Sequence, residues 1–289
     1  MLKIIEKSKI WISISLIVIV IGFGFACFQG LNLGIDFKGG TQVSIQLNEN
    51  INKDDVDAIV KEYAPDSSTT ISDKYEYEIK ATDLDSDKLS SIMTELKDNY
   101  SLDDTALISQ EEIGAAVGKE LTRNSLLAIL AASAVMLVYV AIRFEINFGI
   151  ASIVATLHDV LITIAVYAVF GIPVNTPFIA AILTIVGYSM NDTIVIFDRI
   201  RENLKKMRRA NIVEIANTSI TETLSRSINT SLSTLVTIIA INILVPSVRE
   251  FTIPLIVGII CGAYSSIFIA SPVWVFLKGK AGNKKPKNA

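Results

Sequence analysis

Two cysteines and a single histidine in 289 residues leave little room for metal or redox chemistry. Cys27 and Cys261 both fall in apolar stretches, so no disulfide framework is expected, and no Cys/His cluster has the spacing of a metal site. No Ser-His-Asp or Cys-His constellation suggests a nucleophile. Gly114 to Lys119 is not a phosphate loop, because its glycines are four apart and Glu120 stands where Ser or Thr is required. No catalytic residue, metal or cofactor is therefore predicted, and the chain does not read as an enzyme. Charge is scarce too: 19% of residues are Asp, Glu, Lys or Arg against 51% hydrophobic. That excludes disorder, and a net charge of −3 excludes a basic nucleic-acid binder.

What charge there is lies segregated. Residues 30–124 hold 20 acidic and 9 basic residues, an acidic block inside a basic, apolar frame. Ile10–Phe28 has no charge and reaches ~28 Å as a helix, about one hydrocarbon core. It is too long for the h-region of a cleaved signal, so it reads as an anchor. Five more spans follow: Leu126–Ile142, Ile146–Phe170, Pro177–Phe197, Ser227–Val245 and Phe251–Leu277, the last interrupted by Pro254 and Pro272. Asn203 to Leu224 reads as an amphipathic helix on the inner leaflet, with Leu204, Met207, Ile212 and Ile215 as its apolar side. Basic residues before the first span, after the fourth and in the tail (Lys278, Lys280, Lys284, Lys285, Lys287) put both termini in the cytoplasm.

The acidic block alternates at Thr41 to Leu47 as a half-buried strand does, then shows helical spacing at Val56, Ile59, Val60 and Tyr63 after an Asn52 cap. Thr69–Ser72 and Tyr75–Ile79 read as strands joined near Asp73. Leu89, Ile92, Met93 and Leu96 form a second helical stripe, and a weaker strand lies within Thr105–Ile113. The order β-α-β-β-α-β predicts a ferredoxin-like domain outside the membrane. The expected organisation is residues 1–29 (N-terminus and first span), 30–124 (α+β domain), 125–277 (five spans) and 278–289 (basic tail).

An ionisable residue at mid-membrane costs roughly 2.5–3.5 kcal/mol, so those inside spans are functional candidates. They are Asp192 in the fourth span and His158 and Asp159 in the third. Asp192 lies ~22 Å from the outer end and His158 ~15 Å from the inner one, which brings them to similar depth. Asp192 reads either as a proton or ion relay or as a carboxylate held by Asn191, Ser189 or Thr193. Arg226 opens the fifth span, where it either snorkels to the headgroups or turns inward to Asp192. Gly258 and Gly262, four apart, permit close helix packing.

Two segments go further: Gly34-Ile35-Asp36-Phe37-Lys38-Gly39-Gly40-Thr41, and Val186 to Asn203 with Asn191-Asp192 at its centre. Together with Val117-Gly118-Lys119-Glu120-Leu121, His158-Asp159-Val160 and Ser225-Arg226-Ser227-Ile228-Asn229-Thr230-Ser231, they closely resemble the SecF branch of the SecD/SecF protein-export family. The resemblance covers nearly the whole chain. It implies a bacterial cell-membrane protein that pairs with SecD and associates with the SecYEG channel, with YajC in many bacteria. Such a unit uses the proton gradient to draw unfolded secretory preproteins outward after SecA has pushed them with ATP. H⁺ is the implied coupling ion, with Na⁺ left open. In that family the residues matching Asp192 and Arg226 serve proton conduction, which favours the inward Arg226. The alternative is a subunit of a resistance-nodulation-division exporter of small molecules or lipids, whose repeats share this layout.

Overall fold

The computed structural model describes residues 2–71, 75–143 and 145–282. The turn expected near Asp73, Phe144 of the expected hairpin, and Lys284, Lys285 and Lys287 of the tail lie outside the described residues. Helix α1 (Ser8–Gln29) leads through a short helix α2 (Ile35–Lys38) into β1 (Gly40–Gln46). Then come α3 (Lys53–Tyr63), β2 (Ser68–Ile71), β3 (Glu76–Ala81), α4 (Ser86–Tyr100) and β4 (Leu107–Ile113). The strands form one antiparallel sheet in the order β2-β3-β1-β4, the ferredoxin-like arrangement. Alternation puts Val43, Ile45, Tyr77 and Ile79 on the covered face, where Val56 and Val60 of α3 and Leu89, Ile92 and Leu96 of α4 close the core. Each helix starts where a side chain meets its free amides: Asn52 accepts from Asp54 N at 3.2 Å and Asp85 from Lys88 N at 2.8 Å.

The remaining helices are α5 (Ala115–Arg143), α6 (Ile146–Phe170), α7 (Thr176–Lys206), α8 (Ile212–Leu244), α9 (Arg249–Ser265) and α10 (Ser271–Gly282). Counting the last pair as one span, the described residues hold six helices long and apolar enough to cross a bilayer. α5 starts eleven residues before the expected span. Gly118 permits this, since a Cβ there would lie 2.6 Å from the Phe37 carbonyl of α2. Between α9 and α10 the chain makes a π turn over Ser266–Ala270. Pro272 cannot donate to the Phe268 carbonyl, and the Ser271 hydroxyl bonds back to Ser266 O at 3.1 Å.

Small residues set the helix contacts. At Gly22 of α1 a Cβ would lie 2.1 Å from Ala165 Cβ of α6, and at Gly258 of α9 one would lie 2.3 Å from Ile185 Cδ1 of α7. The inner-leaflet helix expected over Asn203 to Leu224 is corrected. Lys206 ends α7, Ile212 begins α8, and Leu204, Met207, Ile212 and Ile215 pack against a core that includes Phe148, Phe197 and Trp274. Their amphipathic stripe faces protein, and hydropathy alone does not distinguish that from lipid.

Candidate functional site

Asp192 sits on the buried side of α7, 2% exposed. Its neighbours in sequence do not hold it. Asn191 is exposed, Thr193 pairs with Ser266 Oγ at 2.8 Å, and Ser189 turns to Asp159. The partner comes from α8: the Ser231 hydroxyl donates to Asp192 Oδ2 at 3.1 Å. Arg226 does not make the inward ion pair expected of it. Ser227 and Ser231, four apart, form the α8 face that meets α7, and Arg226 is rotated ~140° from Ser231. Arg226 is exposed, turned away from the buried side of α7.

Asp159 on α6 is the better-supplied carboxylate, fully buried and tied to two other helices and to its own neighbour. Ser189 of α7 donates to Oδ2 at 2.5 Å, Ser265 of α9 donates to the same oxygen at 2.7 Å, and His158 Nδ1 lies 2.9 Å from Oδ1. His158 Nε2 meets Ser15 Oγ of α1 at 2.8 Å, and Tyr264 donates to the Trp11 carbonyl at 2.8 Å. A neutral imidazole with its proton on Nδ1 takes the Ser15 proton at Nε2. An imidazolium donates to Ser15 instead, whose proton then turns to Tyr264 Oη at 3.4 Å. Both hydrogen-bond patterns leave the two ring nitrogens of His158 partnered. Ser189, which holds Asp159, stands three residues before Asp192 on the same side of α7. Among the described residues no three His, Cys, Asp or Glu side chains gather as a metal site.

The glycine turn joins the α+β domain to this helix. Asp36 Oδ2 accepts from Thr176 N at 2.7 Å, capping α7 where Asn175 supplies no side-chain cap. Gly34 N donates to Val174 O at 2.9 Å and Val174 N to Asn32 O at 2.8 Å, a short parallel bridge. A Cβ on Gly34 would lie 1.6 Å from Asn175 Oδ1, so the Asn175 side chain would have to move. Gly39 and Gly40 take φ of 86° and 149°, backbone that L side chains rarely adopt. A second tie runs from Lys80 of β3 to Glu250 at 3.1 Å. Burial would lower the Lys80 pKa, but Glu250 and Glu78 outweigh it and hold the ammonium above its ordinary value.

Sequence reasoning missed the hydroxyl partners, Ser15, Ser231 and Ser265. Serine is common in spans, and only the i, i+4 pairing of Ser227 with Ser231 marks a face. It also missed Asp36 as a cap, since its partner is 140 residues away.

The comparisons with known proteins cover the same segments. Residues 92–280 match the family model for protein export membrane protein SecD/SecF, C-terminal, and residues 25–50 match the SecD/SecF GG motif. Protein translocase subunit SecF of Sebaldella termitidis is 40% identical, over 99% of this chain and 96% of its own length. Protein translocase subunit SecDF of Thermus thermophilus is 37% identical, over 92% of this chain but 37% of that longer one. The crystal structure of Thermus thermophilus SecDF, described as a translocon-associated membrane protein, superposes with a TM-score of 0.81 at 35% identity, over 96% of this chain and 39% of that one. The super-membrane-facing form of SecDF gives 0.75 at 34% identity, over 98% and 39%. The glycine turn, the Asp192 helix and the Ser231 helix all lie within matched segments, and the chain belongs to the SecD/SecF family of protein-export membrane proteins, as a multi-pass translocase subunit.

Proposed function

We propose that this chain is a SecF-type subunit that pairs with a SecD-type partner and converts the proton gradient into late-stage pulling on secreted preproteins. The observation that carries the reading is Asp192, buried behind a polar face that stays exposed among the described residues. Asn191 of α7 and Arg226, Asn229 and Ser233 of α8 are all exposed within segments that span the membrane. Hydrocarbon is a poor neighbour for an arginine and two asparagines, so a second polar helix bundle belongs there. The fused SecDF relatives support that partner, since this chain matches about two fifths of their length. In this reading both termini are cytoplasmic and the α+β domain meets the emerging chain beside SecYEG, with YajC where present. Asp192 takes and releases H⁺ as access alternates, and Arg226 supplies the counter-charge from the partner-facing side. His158 and Asp159 hold a second exchangeable proton. SecA performs the ATP-driven step.

The test is Asp192→Asn, which keeps size and loses ionisation. It should assemble with the SecD-type partner, leave SecA-driven translocation intact and abolish the stimulation of export by a proton gradient. Wild-type stimulation at normal protein levels would make the carboxylate a packing residue. Altered drug tolerance with normal preprotein processing would favour the small-molecule exporter.

A further inference from the structure

Along α8, Ser219, Thr223, Ser227 and Ser231 recur every fourth residue, and all four are buried, at 0%, 8%, 2% and 4% exposure. The stripe has defined ends. At one, Ser231 donates to Asp192 at 3.1 Å. At the other, Asn203 Nδ2 donates to Ser219 Oγ at 3.0 Å and to Glu222 Oε2 at 2.7 Å, and Glu222 is 38% exposed and paired with Arg199. Twelve residues separate Ser219 from Ser231, ~18 Å of helix. On α7 the buried positions between Asp192 and Asn203 include Ile196 and Ile200, whose spacing of four from Asp192 keeps them on its side of the helix.

Ser219 and Thr223 return their protons to the carbonyls of Ile215 and Ser219. Ser227 does not: its Oγ is buried with no hydrogen-bond partner. A buried hydroxyl left unpaired is costly, and water is what normally satisfies one. Successive Cβ atoms in the stripe stand ~5–6 Å apart, a gap that one water spans with a hydrogen bond to each side.

We infer that the Ser219–Thr223–Ser227–Ser231 stripe holds the water file by which protons travel between Asp192 and the solvent-facing Asn203–Glu222 end. This rests on Asp192 being the relay. Each link accepts one proton and releases one, and the last proton forms the O–H of the Asp192 carboxyl. No electrons move. Ile196 and Ile200 confine the file, and the serine and threonine oxygens supply its sites.

The experiment uses the full chain with its SecD-type partner in vesicles carrying a pH dye. Thr223→Val with Ser227→Ala removes two hydroxyls at nearly constant volume. Gradient-driven proton flux should fall roughly tenfold, the change expected when a hydrogen bond is lost from the conducting path. Ser227→Thr, which keeps a hydroxyl, should restore most of it. Independently, with Cys27 and Cys261 replaced, the S227C chain should react with a small charged thiol reagent while the I220C chain, also buried on α8, stays protected. Equal protection of both chains, or wild-type flux in the double variant, would make the stripe a dry packing seam and overturn the inference. Asp192→Asn run alongside separates the two ideas. If it conducts normally the relay is wrong, and thiol labelling still reads whether the stripe is wet.

Discussion

Asp57 gathers three donors on one carboxylate: Lys53 Nζ and Tyr77 Oη at 2.5 Å each, and Thr69 Oγ1 at 2.7 Å. Burial alone would raise its pKa, but the hydrogen bonds from Lys53, Tyr77 and Thr69 outweigh burial and hold the carboxyl below its ordinary value. A group depressed on folding stabilises above its unfolded pKa and loses that contribution as pH falls through the folded one. The α+β domain should therefore soften below about pH 4. Asp57→Asn should flatten that dependence, read by circular dichroism of the purified chain in detergent. Tyr77→Phe should cost about 1–2 kcal/mol at neutral pH, because it strips a charge-assisted bond from a buried ring. A pH profile unchanged by Asp57→Asn would assign the acid sensitivity elsewhere. None of this was legible beforehand. The strand alternation identifies Tyr77 as an inward residue, but its hydroxyl partner lies twenty residues back on a helix.

Helix contacts are set by a few positions with no spare volume, and α1 against α6 is the tightest. A methyl group added to Gly22 would meet Ala165 at its Cβ and at its backbone Cα, 2.5 Å away, so no rotamer change relieves it. Gly22→Ala should push α1 off α6, stretch the Ser15–His158 contact and cost about 1–3 kcal/mol as overpacking does. Ala165→Gly in the same chain should recover part of that, measured as thermal unfolding in detergent. A neutral Gly22→Ala would mean that α1 is free to slide. The sequence shows Gly22 as one more small residue in an apolar run, without saying which helix it touches. The six spans themselves were plain from uncharged runs, because a bilayer tolerates little else. Their ends were not. α7 and α8 run on past the hydrocarbon, and polar residues such as Asn203 and Asn217 are buried against neighbouring segments there. Arg226 shows the same limit, since spacing gives depth and rotation decides the partner.

Among the described residues, the polar side of α7 and α8 is a face that hydrocarbon does not suit. Gly187 on that face has nothing within 4 Å of where a Cβ would stand. Gly187→Leu and Ser233→Leu should therefore leave the isolated chain's stability within about 0.5 kcal/mol, as exposed substitutions do. Capture of the SecD-type partner in mild detergent should fall sharply for both. Undiminished capture would place the interface on another side, with α5 the next candidate, since none of the described residues in its most apolar stretch is buried. Charge segregation marks the acidic block, but its anchorage was not legible, because Asp36 and Thr176 come together only in the folded chain. That anchorage has a mechanical consequence. α7 is a rod of 31 residues, gripped at its start by Asp36 from the base of the domain and near its end by the Asn203 and Arg199 bonds to α8. Asp192 lies midway along this lever. With Asp192 as the proposed relay, a tilt of α7 that changes the free energy of its proton would also displace the cap, and by reciprocity a load on the domain would change its proton affinity ~24 Å away along the helix, at 1.5 Å rise per residue.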